Sequence, residues 1–247
     1  MKKHIVQTAH DLGFAACRIT TADPVSPERL TSWIGEGRHG AMRYMARNPE
    51  KRCDPKTLLP EARSVICCAM AYGDEGLVFG DRTIGRSNDR TKIARFARGA
   101  DYHVVVREKL GELAEAIRKR IPDVKAKCCV DTSPILEKVI AARAGIGWIG
   151  RHTLLVNPEF GSWFVLGEII TDIELEPDEP IKNLCDACMK CVDHCPTNAL
   201  EHASLDARKC ISYLTIECKD KTDSDSYGCD VCQEVCPYNA VKSEGAD

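Results

Sequence analysis

Cys185, Cys188, Cys191 and Cys195-Pro196 are spaced C-x2-C-x2-C-x3-C-P, and a second, incomplete run follows at Cys229, Cys232 and Cys236-Pro237. This is the spacing of a bacterial-type ferredoxin with two [4Fe-4S] clusters. Two-residue gaps let one tight loop present three thiolates to a single cube before proline turns the chain away. In that arrangement the last cysteine of each run crosses to the other cluster. Cys185, Cys188, Cys191 and Cys236 therefore group as one ligand set, and Cys195, Cys229 and Cys232 begin a second. The nearest upstream thiols that could complete it are Cys210 and Cys218, and the spacing leaves that choice open.

Structural zinc or a disulfide framework are the competing explanations for so many cysteines. Zinc sites close with four ligands and have no use for two interleaved runs. The N-terminal stretch Met1–Phe14 has neither a continuous apolar core nor a twin-arginine signal, so a secreted, disulfide-bonded protein is not expected. The longest apolar run, around Val65–Tyr72, is strand-sized and far from the roughly 18 residues of a membrane span. The expectation is a cytoplasmic chain, away from any membrane, with its thiols reduced. Cys17, Cys53, Cys67, Cys68, Cys128 and Cys129 then read as small core hydrophobes.

Of the 247 residues, about 60 suffice for the cluster module, which leaves roughly 180 for another body with its own core. That excess argues against a simple electron carrier. A formal net charge of −3 carries no global nucleic-acid signature. Local basic stretches do exist, at Arg38, Arg43, Arg47, Lys51, Arg52 and Lys56, and at Arg82, Arg86, Arg90, Lys92, Arg95 and Arg98. They read either as solvated faces or as a polyanion-binding patch. Glycines and polar residues across Gly73–Ser87 suggest a loop able to close over a ligand.

Periodicity predicts helices at His4–Leu12 and Pro27–Gly35 around a strand at Phe14–Ile19, a buried strand at Ser64–Tyr72, and a long amphipathic helix from Asp101 to Arg120 stopped by Pro122. A strand at Lys125–Val130 ends at Asp131, and Ser133-Pro134 opens a helix that ends at Gly145. Strands follow at Thr153–Val156 and Trp163–Thr171. The acidic, proline-punctuated stretch Glu174–Pro180 then marks a domain boundary. The fold class is α+β: an N-terminal α/β catalytic domain over residues 1–174, then a ferredoxin-like double-cluster domain over residues 175–247.

Asp131 stands between a strand and a helix, where open sheets commonly place chemistry. A helix N-cap is the competing role for an aspartate there. Its neighbours Cys128, Cys129, Val130, Ile135 and Leu136 suggest apolar surroundings, which favour the protonated acid. To donate a proton near neutrality it needs a pKa about three units above the usual 3.9, a cost of about 4 kcal/mol.

Several strings in order, Glu50–Pro60, Arg98–His103, Val130–Pro134, Arg143–Arg151, Gly161–Glu168, Cys210–Glu217 and Tyr227–Cys232, resemble those of the epoxyqueuosine reductases. The resemblance covers nearly the whole chain. It implies a cobalamin-dependent iron–sulfur oxidoreductase, related to reductive dehalogenases, that performs the last step of queuosine biosynthesis on tRNA, at the anticodon loop. It implies that Cys210 completes the second cluster and that Asp131 donates the proton to the epoxide oxygen. It also implies cobalamin contacts from Arg52, Asp131, Leu155, Leu166, Ser212, Cys229 and Asp230. From the residues alone, Leu155 and Leu166 read as core. Longer family members continue into a helical-repeat domain, so the chain, ending at Asp247, reads as a short form. The further expectations are an external low-potential donor such as ferredoxin or flavodoxin, and a monomer. Two alternatives stay open: a corrinoid reductase of an organohalide or another epoxide, and a non-catalytic electron-transfer protein.

Overall fold

A computed structural model of the chain describes residues 1–74, 76–77, 93–201, 203–218 and 226–240. Its centre is the strand pair that the apolar runs imply. Strand β2 (Ser64–Ala71) pairs antiparallel with β6 (Phe164–Thr171), and β1 (Ala16–Thr21) and β3 (Ala126–Cys129) flank them in the order β1-β2-β6-β3. Every pairing in this sheet is antiparallel. Because both faces of this sheet are covered, β2 is buried at every position but its last and reads as an unbroken apolar run rather than an alternation.

Alternate β2 residues feed two cores. Ile66, Cys68 and Met70 face helices α1 (Lys2–Asp11) and α5 (Tyr102–Arg118), where Ile5, Val106, Leu110, Leu113 and Ile117 pack. Val65, Cys67 and Ala69 face α6 (Glu137–Arg143) with Ile140, Ala141, Ile146 and Leu155. Between β1 and β2 the chain forms α2 (Glu28–Gly35), α3 (Arg43–Ala46) and α4 (Pro49–Cys53); the hairpin β4 (Trp148–Ile149) and β5 (Leu155–Val156) leads into β6.

The helix expected from Ser133 begins four residues later, at Glu137, with Leu136 at its N-cap position. Asp131 is therefore not its cap. The chain between them bends away from the sheet because Asp131 has φ +44°, a left-handed turn that aspartate tolerates better than most residues. The α5 helix starts as predicted, with Asp101 accepting a hydrogen bond from the His103 N–H at 2.9 Å.

The segment expected to link two domains is stapled down. Leu175 lies in the first core, and Asp178 accepts from the Ile19 N–H at 2.8 Å and pairs with Lys2 and Arg18. Beyond it the cysteine-rich part forms α7 (Lys190–Asp193), β7 (Leu200–Glu201), β8 (Ser204–Leu205), α8 (Ile211–Ile216), α9 (Val231–Glu234) and α10 (Pro237–Ala240). It docks on the sheet through Trp33 Nε1–H to Leu205 O, Arg95 N–H to Asp230 Oδ2, and Ser162 with Gln233 and Asn239. At Gly161 a β-carbon would come within 2.0 Å of Asn239 Oδ1, so this approach requires glycine. Among the described residues no helix is long and apolar enough to cross a membrane.

Leu110 is fully buried and packs where β6 carries Gly167, whose missing side chain lets the helix approach. Replacing Leu110 with alanine is expected to cost about 2–5 kcal/mol. A lower urea midpoint at unchanged slope is the readout.

Candidate functional site

The docked parts enclose a cleft of about 1500 Å3, counting its open mouth. One wall comes from the sheet side, with Leu155, Phe164, Val165 and Leu166; the other comes from the cysteine-rich part, with Cys195, Cys210, Ser212, Cys229, Asp230 and Cys232. Asp131, Glu137 and Lys138 sit at one end, and these same residues line a second cavity, of about 1210 Å3 by the same measure, with Tyr44, Arg52 and Leu136. Asp131 thus stands where two cavities meet. The structure brings Asp131, Leu155, Leu166, Ser212, Cys229 and Asp230 around the first cleft, while Arg52 lines only the second. Its guanidinium lies over the Tyr44 ring at 5.8 Å and donates to the Tyr44 carbonyl.

The thiols sort into two groups. Cys191 has Cys185, Cys236 and Cys188 as electrostatic neighbours, and Cys232 has Cys229, Cys210 and Cys195, with Cys191 of the first group also in range. Burial pushes Cys191 up to about 11 and Cys232 up to about 12, and their neighbouring thiols add to it. At Cys195 burial acts the same way, yet hydrogen bonds from Thr197 and Ala199 outweigh it and hold the thiol below its usual value. Cys218 interacts instead with the Tyr213 hydroxyl. Among the described residues no three His, Cys, Asp or Glu side chains converge on a single metal ion. The two groups of four thiols match the interleaved ligand sets of two [4Fe-4S] clusters. Trp148 Nε1–H donates to Cys185 Sγ at 3.3 Å.

The surroundings of Asp131 differ from the apolar setting its sequence neighbours suggest. Val130 and Ile135 turn into the cores, whereas the left-handed turn sends Asp131 outward with its side chain 54% exposed. Its partners come from α5, nearly thirty residues earlier. His103 bridges two carboxylates, with Nδ1 2.8 Å from Asp101 Oδ1 and Nε2 3.1 Å from Asp131 Oδ2. Burial alone lowers the affinity of this imidazole for a proton, but the two carboxylates together raise its pKa above the usual histidine value. Tyr102 stacks on His103 at 4.0 Å and interacts with Asp131 through its hydroxyl; burial, then the Asp131 charge, keeps it a neutral phenol.

Sequence reading missed His103, Tyr102, Glu137 and Glu168 as members of this site. The first two lie inside the string Arg98–His103, which was the only signal available. Glu137 accepts a hydrogen bond from the Asp131 N–H at 2.5 Å, and burial, then the Asp131 charge, raises its carboxyl to about 7. Glu168, in the middle of β6, is fully buried, and burial followed by the Glu137 charge lifts its pKa far above the carboxylate range. His152 is also buried. Its Nδ1 accepts from the Leu154 N–H at 3.1 Å, which leaves the proton on Nε2, an atom without a partner at the cleft wall. Burial, then nearby Lys138, depresses its pKa to about 4, so it is a neutral donor.

The basic stretches divide. Arg43, Arg47, Lys51 and Lys56 are exposed, on the same stretch of chain that gives the second cavity Tyr44, Met45 and Arg52. Arg95 is committed to the fold, over the Trp163 ring at 4.2 Å and paired with Asp74, while Arg98 donates to the carbonyls of Ile93 and Asp74. Arg38 pairs with Glu36 and Glu201. Arg82, Arg86, Arg90 and Lys92, and most of the expected loop Gly73–Ser87, lie outside the described residues.

Comparison with known proteins is consistent with this geometry. The family model "Epoxyqueuosine reductase QueG, DUF1730" matches residues 52–132, and that of the 4Fe-4S double cluster binding domain matches residues 184–239. The epoxyqueuosine reductase of Leadbetterella byssophila is 40% identical over 96% of this chain and 80% of its own. An epoxyqueuosine reductase solved with a tRNA-Tyr epoxyqueuosine-modified stem loop superposes with a TM-score of 0.83 at 36% identity, over 97% of this chain and 65% of that one. A reductive dehalogenase whose structure suggests a mechanism for B12-dependent dehalogenation shares the fold, with a TM-score of 0.58 at 19% identity over 95% of this chain and 31% of its own.

The raised pKa of Glu137 has a signed consequence. The folded chain binds this proton more tightly than the unfolded chain, so the stabilisation is complete below about 4.5 and is lost as pH rises through about 7. Glu137→Gln removes that titration. Thermal melts at pH 5 and pH 8 should show the variant gaining on the parent protein at the higher pH.

Proposed function

Since the chain belongs to the epoxyqueuosine reductase family, we propose that it reduces epoxyqueuosine to queuosine in tRNA, the last step of queuosine biosynthesis, by two-electron removal of the epoxide oxygen. The observation that carries this reading is the position of Asp131, at the junction of a cleft walled by cluster-type cysteines and a second cavity lined by Arg52. The net change consumes two electrons and two protons and yields an alkene and water. Cys185, Cys188, Cys191 and Cys236 hold one [4Fe-4S] cluster, and Cys195, Cys210, Cys229 and Cys232 the other. An external low-potential donor such as ferredoxin or flavodoxin delivers the electrons to a monomeric enzyme in the cytoplasm.

The first cleft fits cobalamin. Its sheet-side wall is apolar at Leu155, Phe164, Val165 and Leu166, and the unpartnered His152 Nε2–H offers a donor for a polar side arm. When bound, cobalamin supplies the reducing chemistry. Leu155, Leu166, Ser212, Cys229 and Asp230 would hold it, with Arg52 in the adjoining second cavity. Asp131 gives its proton to the departing oxygen. His103 and Tyr102 orient that carboxyl, and the imidazole between Asp101 and Asp131 provides a route for reprotonation. Arg43, Arg47, Lys51 and Lys56 meet tRNA phosphates.

The deciding experiment is anaerobic turnover of tRNA bearing epoxyqueuosine by protein reconstituted with iron, sulfide and cobalamin. Asp131→Asn is expected to keep clusters and cobalamin yet lose about 10²–10⁴ in rate, the usual worth of a general acid. A variant that turns over normally removes Asp131 from the chemistry. Cys210→Ala should lower iron content from about eight per chain toward about four. Cys218→Ala should leave it intact, and iron loss in that variant would exchange the two assignments.

A further inference from the structure

The Glu137 and Glu168 carboxyls have no role in the chemistry proposed above, yet their placement is costly. Glu168 is 0% exposed, at the centre of the sheet, with its backbone between Cys67 of β2 and Cys129 of β3. Neither carboxyl oxygen meets a partner at full hydrogen-bond geometry, and the Glu137 carboxyl is the group it interacts with. An ionised carboxylate in such a place is strongly disfavoured, so Glu168 is neutral and carries an O–H. Glu137, the first residue of α6, stands between this buried acid and the turn above it. Its Oε1 accepts the Asp131 N–H at 2.5 Å.

That contact bears on the one strained residue of the loop. Asp131 has φ +44°, a conformation an L-residue holds only when its surroundings enforce it. The backbone of the loop is pinned to other segments at its start by the Asp131 N–H on Glu137 and at its end by the Leu136 N–H on the Arg52 carbonyl at 3.1 Å, while His103 and Tyr102 hold only the Asp131 side chain. Without the first pin, the backbone loses the interaction that holds Asp131 in the left-handed turn facing both cavities. We infer that Glu137, supported from beneath by Glu168, is a positioning residue that latches the Asp131 loop in the orientation needed to deliver a proton.

The inference rests on Asp131 being the acid, but the latch can be measured separately. Hydrogen exchange of the backbone over residues 130–136 in the cluster-loaded protein reads the loop without turnover. Glu137→Ala is expected to lower protection there by at least about tenfold, the scale of losing one charge-assisted hydrogen bond. It should also lower kcat with little change in KM, since an acid held out of place leaves tRNA binding unaltered. Glu137→Gln retains a side-chain carbonyl acceptor and should restore both protection and kcat to within about threefold of the parent, the difference between a charged and a neutral acceptor. The visible spectrum of the clusters reports that each variant is folded. Unchanged protection in Glu137→Ala overturns the latch, as does a glutamine variant no better than alanine. Normal turnover by Asp131→Asn would instead overturn the reading of the acid, whatever the exchange data show.

Discussion

Strand β6 is the constraint on which the rest of the structure depends. It pairs with β2 on one side and β3 on the other, so its backbone is spoken for along most of its length. Its side chains then serve different neighbours by simple alternation. Gly167 leaves room for α5 to approach, Leu166 lines the cleft, and Glu168 sits beneath the Asp131 turn. A one-residue slip would send the carboxyl toward α5 and a bulky side chain into the α5 contact. Register in this strand therefore decides at once whether the core packs and whether the site forms.

The cleft is a product of docking rather than of either part alone. Its two walls are joined by direct bonds such as Arg95 N–H to Asp230 and Ser162 Oγ–H to Gln233 at 3.0 Å. At Gly161 the cysteine-rich part comes so close that a side chain there would collide with Asn239 and the Tyr238 carbonyl. The acidic segment around Asp178 is likewise tied to Ile19, Lys2 and Arg18 instead of hanging free.

Electrostatics around Asp131 work through environment more than through the residue itself. An imidazole shared by Asp101 and Asp131 gains proton affinity, while the buried Glu137 and Glu168 lose their tendency to ionise. Affinity for protons is thus raised on both sides of the acid, at the shared imidazole and at the two carboxyls beneath the turn. His152, neutral for want of solvent, provides the contrast on the neighbouring wall.

The sequence by itself determined what depends on covalent reach and on short periods. The interleaved cysteine pattern is local, the apolar run of β2 and the stripe of α5 announce a covered sheet and an amphipathic helix, and Asp131 is visibly placed between a strand and a helix. The resemblance of its strings to one family extended that reading to Cys210 and to the cleft residues. Only the tertiary structure decided what depends on residues distant along the chain. His103 meets Asp131 across 28 positions, and Glu168 on strand β6 reaches Glu137 on helix α6. The cations at Arg95 and Arg98 look free in sequence, yet they are used to hold Trp163, Asp74 and Ile93 in place. No local pattern encodes such pairings, because each partner satisfies its own segment's rules and the contact between them exists only once the sheet is assembled.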